Sequence, residues 1–123
     1  MVSSGKISAT SVGRAGEFLT ASKLQMAGLE TTHVDGSCDL HVTMPNKRVL
    51  RVEVKAALTP SLSGAFKFHI GNSSAEVFVL VCMPLGLVRI FGESDLKGKT
   101  ITLRPAEFTE QAEADDIAYL LLR

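Results

Sequence analysis

A chain of 123 residues, 46% hydrophobic and 21% charged, reads as one compact globular domain over residues 1–123, which excludes a disordered or membrane-embedded polypeptide. Its 13 Lys and Arg balance its 13 Asp and Glu, so no overall basic field favours a polyanion, although a neutral total can conceal one basic and one acidic face. The only cysteines, Cys38 and Cys82, lack CxxC spacing and form no zinc pattern with His33, His41 or His69. They exclude a disulfide scaffold and fit a reducing cytoplasm.

Residues 1–10 are expected to be flexible, and the Ser- and Thr-rich start has no apolar core of the kind a secretory signal carries. A helix is predicted from about Ser11 to Ala27, with Ser11 as N-cap and Gly28 as stop. Gly13 and Gly16 weaken it by about 1 kcal/mol each relative to Ala, but glycines there let a helix approach a sheet or a ligand closely.

The period then changes to two. Thr31 to Val34 is a short strand, and Asp39 to Met44 alternates, with Leu40, Val42 and Met44 on one face and Asp39, His41 and Thr43 on the other. Pro45, Asn46 and Lys47 form a turn into a strand from Val49 to Ala57, which makes an antiparallel hairpin. A Ser/Pro/Gly loop from Thr59 to Gly64 precedes a strand from Ala65 to Ile70. The unbroken β-branched and aromatic run from Val77 to Cys82 is a central strand buried on both faces. Strands at Leu87 to Phe91 and Thr100 to Leu103 follow, separated by a single turn at Glu93 to Lys97, and a helix from Thr109 to Leu122 closes the chain. The fold class is therefore α/β (α+β): a mixed β-sheet flanked by an N-terminal and a C-terminal helix.

Chemistry concentrates at Val52-Glu53-Val54-Lys55. Residues i and i+2 of a strand share a face, so Glu53 and Lys55 stand side by side while the valines bury the other face. The paired strand begins at Asp39, which places a second carboxylate near Glu53. Two carboxylates with carbonyl and water ligands suit a hard cation such as Mg²⁺, with Mn²⁺ as a substitute. An ammonium beside them can position a water and offset charge on a phosphoryl transition state. Glu17 is a third candidate ligand, because Ala21, Leu24 and Gly28 on its helical stripe are small or apolar and turn it toward the sheet. Alone, a Glu-x-Lys on a strand is as well explained by a solvated face.

These residues carry a resemblance. Gly16-Glu17-Phe18-Leu19-Thr20-Ala21, Cys38-Asp39-Leu40 and Arg51-Val52-Glu53-Val54-Lys55 resemble the PD-(D/E)XK nucleases, the restriction-endonuclease-like fold, and within it archaeal Holliday junction resolvases and group I intron homing endonucleases. The resemblance implies a DNA endonuclease in which Asp39 and Glu53 bind the metal, Lys55 acts on the attacking water, and Glu17 is the helix-borne acid nearby. Two departures stand out. Cys38 replaces the motif's proline, and a strand at Ala65 to Ile70 occupies part of the span where the family has a crossover helix.

Arg14, Lys47, Arg48, Arg51 and Lys67 are the candidate DNA contacts; Lys47, Arg48 and Arg51 cluster with Lys55, while Arg14 is equally explained as a solvated helix residue and Lys67 as part of an exposed sheet face. A domain this small has little surface for a duplex, which favours a homodimer. The rival readings are a catalytically silent DNA-binding or assembly protein, which suits the acidic C-terminal helix, and a hydrolase of small phosphate esters, which no Gly-rich phosphate cradle supports.

Overall fold

The computed structural model describes residues 7–36, 38–92, 96 and 98–123. The expected turn at Glu93 to Lys97 falls almost wholly outside them, as do residues 1–6 of the stretch expected to be flexible.

Helix α1 spans Ala9–Met26 and starts earlier than the sequence reading placed it. The Ser8 hydroxyl is the N-cap, and it accepts from the Ser11 N–H that the prediction had used as the cap residue (3.1 Å). The helix ends where Gly28 takes a φ of 91° and the Leu29 N–H returns to the Leu24 carbonyl (3.0 Å). Among the described residues seven strands follow: β1 (Glu30–His33), β2 (Leu40–Thr43), β3 (Val49–Ala57), β4 (Phe66–His69), β5 (Val77–Cys82), β6 (Leu87–Gly92) and β7 (Thr100–Leu103). A 3-10 turn at Pro105–Glu107 leads to α2 (Glu110–Leu120), capped by the Thr109 hydroxyl on the Ala112 N–H as its sequence anticipates.

The main sheet runs β1-β2-β3-β5-β6, and β4 pairs with β7 in a separate antiparallel ribbon. All main-sheet pairings are antiparallel except β3 with β5. That parallel pair needs a crossover, and the crossover carries β4 rather than a helix. The departure noted in the sequence is thus a feature of the fold.

Alternation along β3 and β5 divides the core in two. Val52, Val54, Val77, Val79 and Val81 face one way, onto Leu24 of α1 and Leu120 of α2. Phe78, Leu80 and Cys82 face the other way, onto Phe66, Phe68, Leu103 and Phe108 from the ribbon side. Helices cover one face and the ribbon the other, so β5 is buried along its whole length.

Gly16, Thr20 and Leu24, at i, i+4 and i+8, form the buried stripe of α1. A Cβ on Gly16 would lie 2.7 Å from the Ala56 Cβ, so the absent methyl sets how closely α1 sits on β3. Gly16→Ala should cost about 1–3 kcal/mol of overpacking against a propensity gain of about 1. A net loss in urea denaturation, reversed by adding Ala56→Gly, is the expected result. An unchanged or raised midpoint for Gly16→Ala would contradict this contact.

At the outer edge of the sheet, the acidic residues of α2 have a structural task. Asp116 accepts from the Ile90 N–H (2.9 Å) and from Arg89 Nε (2.8 Å). Glu113 accepts from the Val88 N–H (2.9 Å) and from Lys23 Nζ (2.9 Å). These carboxylates occupy the outward N–H groups of β6, which an edge strand otherwise presents for pairing. The supposed acidic face of the C-terminal helix is in this part an edge cap.

Among the described residues, no helix is long and apolar enough to cross a membrane.

Candidate functional site

Strand β2 pairs with β3 only through Val49–Val52. Beyond that point β3 runs on to Ala57 with β5 as its strand neighbour, and the edge that β2 has left lies open. Asp39 sits where the two strands part. Its N–H donates to the Val52 carbonyl (3.0 Å), and its Oδ2 accepts from the Val54 N–H (2.7 Å), the first outward donor without a strand partner. The carboxylate is therefore fixed on the backbone between Glu53 and Lys55.

Alternation breaks at Asp39. Leu40 belongs to the helix-side core, whereas Cys38 is buried in the ribbon-side core. Burial pushes the Cys38 thiol up from its ordinary value, so it stays protonated and packs as a small apolar group.

Glu53 and Lys55 leave β3 together on the ribbon side, as alternation predicts. Lys55 Nζ lies 3.4 Å from Glu53 Oε2, with the two side chains 38% and 12% exposed. Among the described residues, Glu53 is the one buried carboxylate. Its ion pair is half in water, which keeps the ammonium accessible.

Glu17 approaches from the helix side. It flanks the Gly16-Thr20-Leu24 stripe and is half-buried. It lines a cleft of about 440 Å³ with Arg14, His33, Asp35, Cys38 and Asp39. Burial raises the Glu17 carboxyl above its ordinary value, and the Asp39 charge adds to this. Arg14 and His33 pull the other way, and Asp35 raises it further. The result is a cleft where negative charge is concentrated and incompletely compensated.

The three carboxylates thus approach one sheet edge from both faces, but they do not form a closed cage. Among the described residues, no three His, Cys, Asp or Glu side chains are grouped to hold a metal ion. Asp39 is turned to the Val54 N–H and Glu53 to Lys55. The donor set itself, all carboxylate oxygen beside open backbone and solvent, is the chemistry Mg²⁺ prefers.

The basic candidates do not form one surface. Arg14 is exposed and lines the cleft. Lys47 occupies the β2–β3 turn at a φ of 72°, a left-handed position that favours glycine. Arg48 and Arg51 converge on Glu76, with Nη2 to Oε2 at 2.8 Å and Nη1 to Oε1 at 3.7 Å. Burial would raise the Glu76 carboxyl, but the Arg51 N–H, the Arg48 hydrogen bond and both guanidinium charges outweigh it and hold it below its ordinary value. Lys67 lies on the exposed side of the β4–β7 ribbon. His41 is opposite Arg51 and half-buried.

Sequence reasoning missed His33 and Asp35 as cleft residues. The available signal was the short connection between β1 and β2, which returns the chain to Asp39 and must bring those residues beside it.

Stability should report the strained charge of Glu17. Below its ordinary value of 4.5 the carboxyl is neutral in both folded and unfolded chains, and its burial then costs little. As pH rises through the elevated folded value, the native state must ionise a poorly solvated group and stability is lost. In EDTA, Glu17→Gln should therefore melt higher than wild type at neutral pH, and the gain should vanish as pH falls past 4.5. A gain of equal size at all pH values would contradict this origin.

Compared with known proteins, the chain superposes on the structure of a bacterial homing endonuclease, I-Ssp6803I, with a TM-score of 0.75, covering 95% of this chain and 92% of that one at 16% sequence identity. This likeness shows a shared fold. No protein-family model and no curated protein matches the chain in sequence.

Proposed function

We propose that this protein is a Mg²⁺-dependent DNA endonuclease of the PD-(D/E)XK superfamily. The observation that carries the reading is the Asp39 carboxylate bound to the Val54 N–H, between Glu53 and Lys55, at the edge where β2 leaves β3. The fold shared with a homing endonuclease supports it, as do Asp39, Glu53 and Lys55 at the motif's acidic and lysine positions and Glu17 on the helix.

In this reading Asp39 and Glu53 hold the divalent cation, and Glu17 contributes from the helix side. A cation bound there would polarise a phosphoryl oxygen and add positive charge to a cleft whose carboxylates Arg14 and His33 only partly offset. Lys55 orients the attacking water and offsets charge that develops on the phosphate, while Glu53 keeps the ammonium in place. Asp39 is oriented by the backbone, with Oδ2 on the Val54 N–H. Arg14 and Lys67 contact DNA phosphates, with Lys47, Arg48 and Arg51 on the hairpin as a second group. Because Glu76 already neutralises part of that group, it contributes less than its charge count implies. Two copies of the chain would address the two strands of a duplex or junction.

The test is incubation with supercoiled, linear and four-way-junction DNA in Mg²⁺, Mn²⁺ or EDTA. Cleavage that needs the metal is expected, and the preferred DNA identifies the substrate class. Binding without cleavage in any metal would instead identify a silent DNA-binding protein that keeps the fold.

A further inference from the structure

Among the described residues, Arg14 and His33 are the only basic side chains lining the cleft that contains Glu17, Asp35 and Asp39. His33 ends β1 and stands opposite Leu40, one register step from Asp39. Neighbouring strands are about 4.8 Å apart, so the imidazole starts close to the carboxylate proposed to act at the scissile phosphate. Its ring packs on Phe18, with centroids 4.7 Å apart and planes inclined at 48°.

Phe18 is otherwise unexplained. It belongs to neither core cluster and is 56% exposed, in contact with the cleft residue His33. It follows Glu17 and lies one turn beyond Arg14, so α1 presents a base, an acid and an aromatic ring along the same flank of the cleft. What Phe18 visibly does is pack against His33 and restrict the imidazole. An imidazole keeps at least one N–H donor in every protonation state, so it can bond an anionic oxygen without titrating.

We propose that His33 binds DNA in this cleft by donating a ring N–H to a phosphate oxygen beside the phosphate that is cut, and that Phe18 is the positioning residue that holds the ring for that bond. The inference rests on the endonuclease reading above. It divides the cleft by charge: carboxylates take the cation, while Arg14 and His33 take the flanking backbone. Backbone contacts of this kind set the register of the strand and carry no sequence preference.

Steady-state cleavage of the preferred DNA in Mg²⁺ tests this with His33→Ala, His33→Gln, Phe18→Ala and the His33→Ala/Phe18→Ala pair. His33→Ala should raise KM about tenfold and leave kcat within about twofold, the size expected for one hydrogen bond to a charged group. His33→Gln retains an N–H donor and should recover most of the loss. Phe18→Ala should raise KM by about threefold, and the double variant should be no worse than His33→Ala alone, because Phe18 acts through His33. Melting temperatures should match wild type, since both side chains are exposed.

Unchanged KM in His33→Ala, with wild-type cleavage intact, would overturn this inference alone. Additive losses in the double variant would overturn the role of Phe18. A wild-type protein that neither binds nor cuts DNA would overturn the endonuclease reading, and this inference with it.

Discussion

Lys55→Ala is expected to reduce Mg²⁺-dependent DNA cleavage by at least about 100-fold, the usual loss when one preorganised electrostatic group is removed from a phosphoryl or acyl transition state. Glu53→Gln should do the same by a different route. It keeps the shape of a nearly buried side chain but removes both a charge proposed to bind the metal and the counter-ion of Lys55. The two losses should not multiply in the double variant, because the residues are in contact and act together. Lys55→Ala should change the melting temperature little, since its side chain is 38% exposed and water can replace it at Glu53. Cleavage rates at saturating DNA, measured beside thermal melts, separate the two effects. A Lys55→Ala protein that cuts at the wild-type rate would show that the Glu-x-Lys pair is only a surface ion pair.

The second large effect concerns the fold. Asp116→Ala and Glu113→Ala should each destabilise the protein by about 2 kcal/mol, because each strands a β6 N–H and a partly buried cation. The side chains are only 17% and 14% exposed, and each carboxylate serves one backbone and one side-chain donor. Asp116→Asn retains an acceptor for the Ile90 N–H and should recover part of the loss. Together the two Ala substitutions would remove a large part of a typical domain stability of about 5–15 kcal/mol. They would also open the β6 edge, so concentration-dependent aggregation should accompany the lowered urea midpoint. Losses below about 0.5 kcal/mol, as for solvated ion pairs, would mean that α2 does not seal this edge.

What could be read in the sequence was local and periodic. The Val77–Cys82 run announced a strand buried on both faces because only a double-sided core tolerates so continuous an apolar segment. Glu53 and Lys55 were legible because alternation requires i and i+2 to share a face, and Asp39 because a short turn pairs its strand with theirs. The long-range partners were not legible. Arg48 and Arg51 looked like a free basic cluster because Glu76, which holds both, lies 25 or more residues away, just before β5. Glu113 and Asp116 looked like an acidic surface because nothing in the helix shows that an edge strand lies beside it. The parallel pairing of β3 with β5, and the departure of β4 to join β7, likewise depend on contacts between segments distant in the chain. The N-cap slipped from Ser11 to Ser8 because two serines one turn apart offer the same hydroxyl. Glu17 lies on the flank of its helix rather than on the buried stripe, since the sheet selects Gly16, the smaller neighbour, for closest approach.

The site's central proposal joins a rigid element to a chemical one. Asp39 is held by the backbone, Glu53 by Lys55, and Glu17 is under charge strain across the same open edge. Holding the cation would require the carboxylates to draw together, and the fixed Asp39 would be the point on which Glu53 and Glu17 close.

The most direct test is one cleavage reaction followed in time, with the wild-type protein and DNA in Mg²⁺, then in excess EDTA, then with Mg²⁺ restored, alongside Asp39→Asn. The account predicts phosphodiester cleavage that stops in EDTA, resumes with Mg²⁺ and is lost in Asp39→Asn. Cleavage that continues in EDTA, or an Asp39→Asn protein as active as wild type, would contradict it.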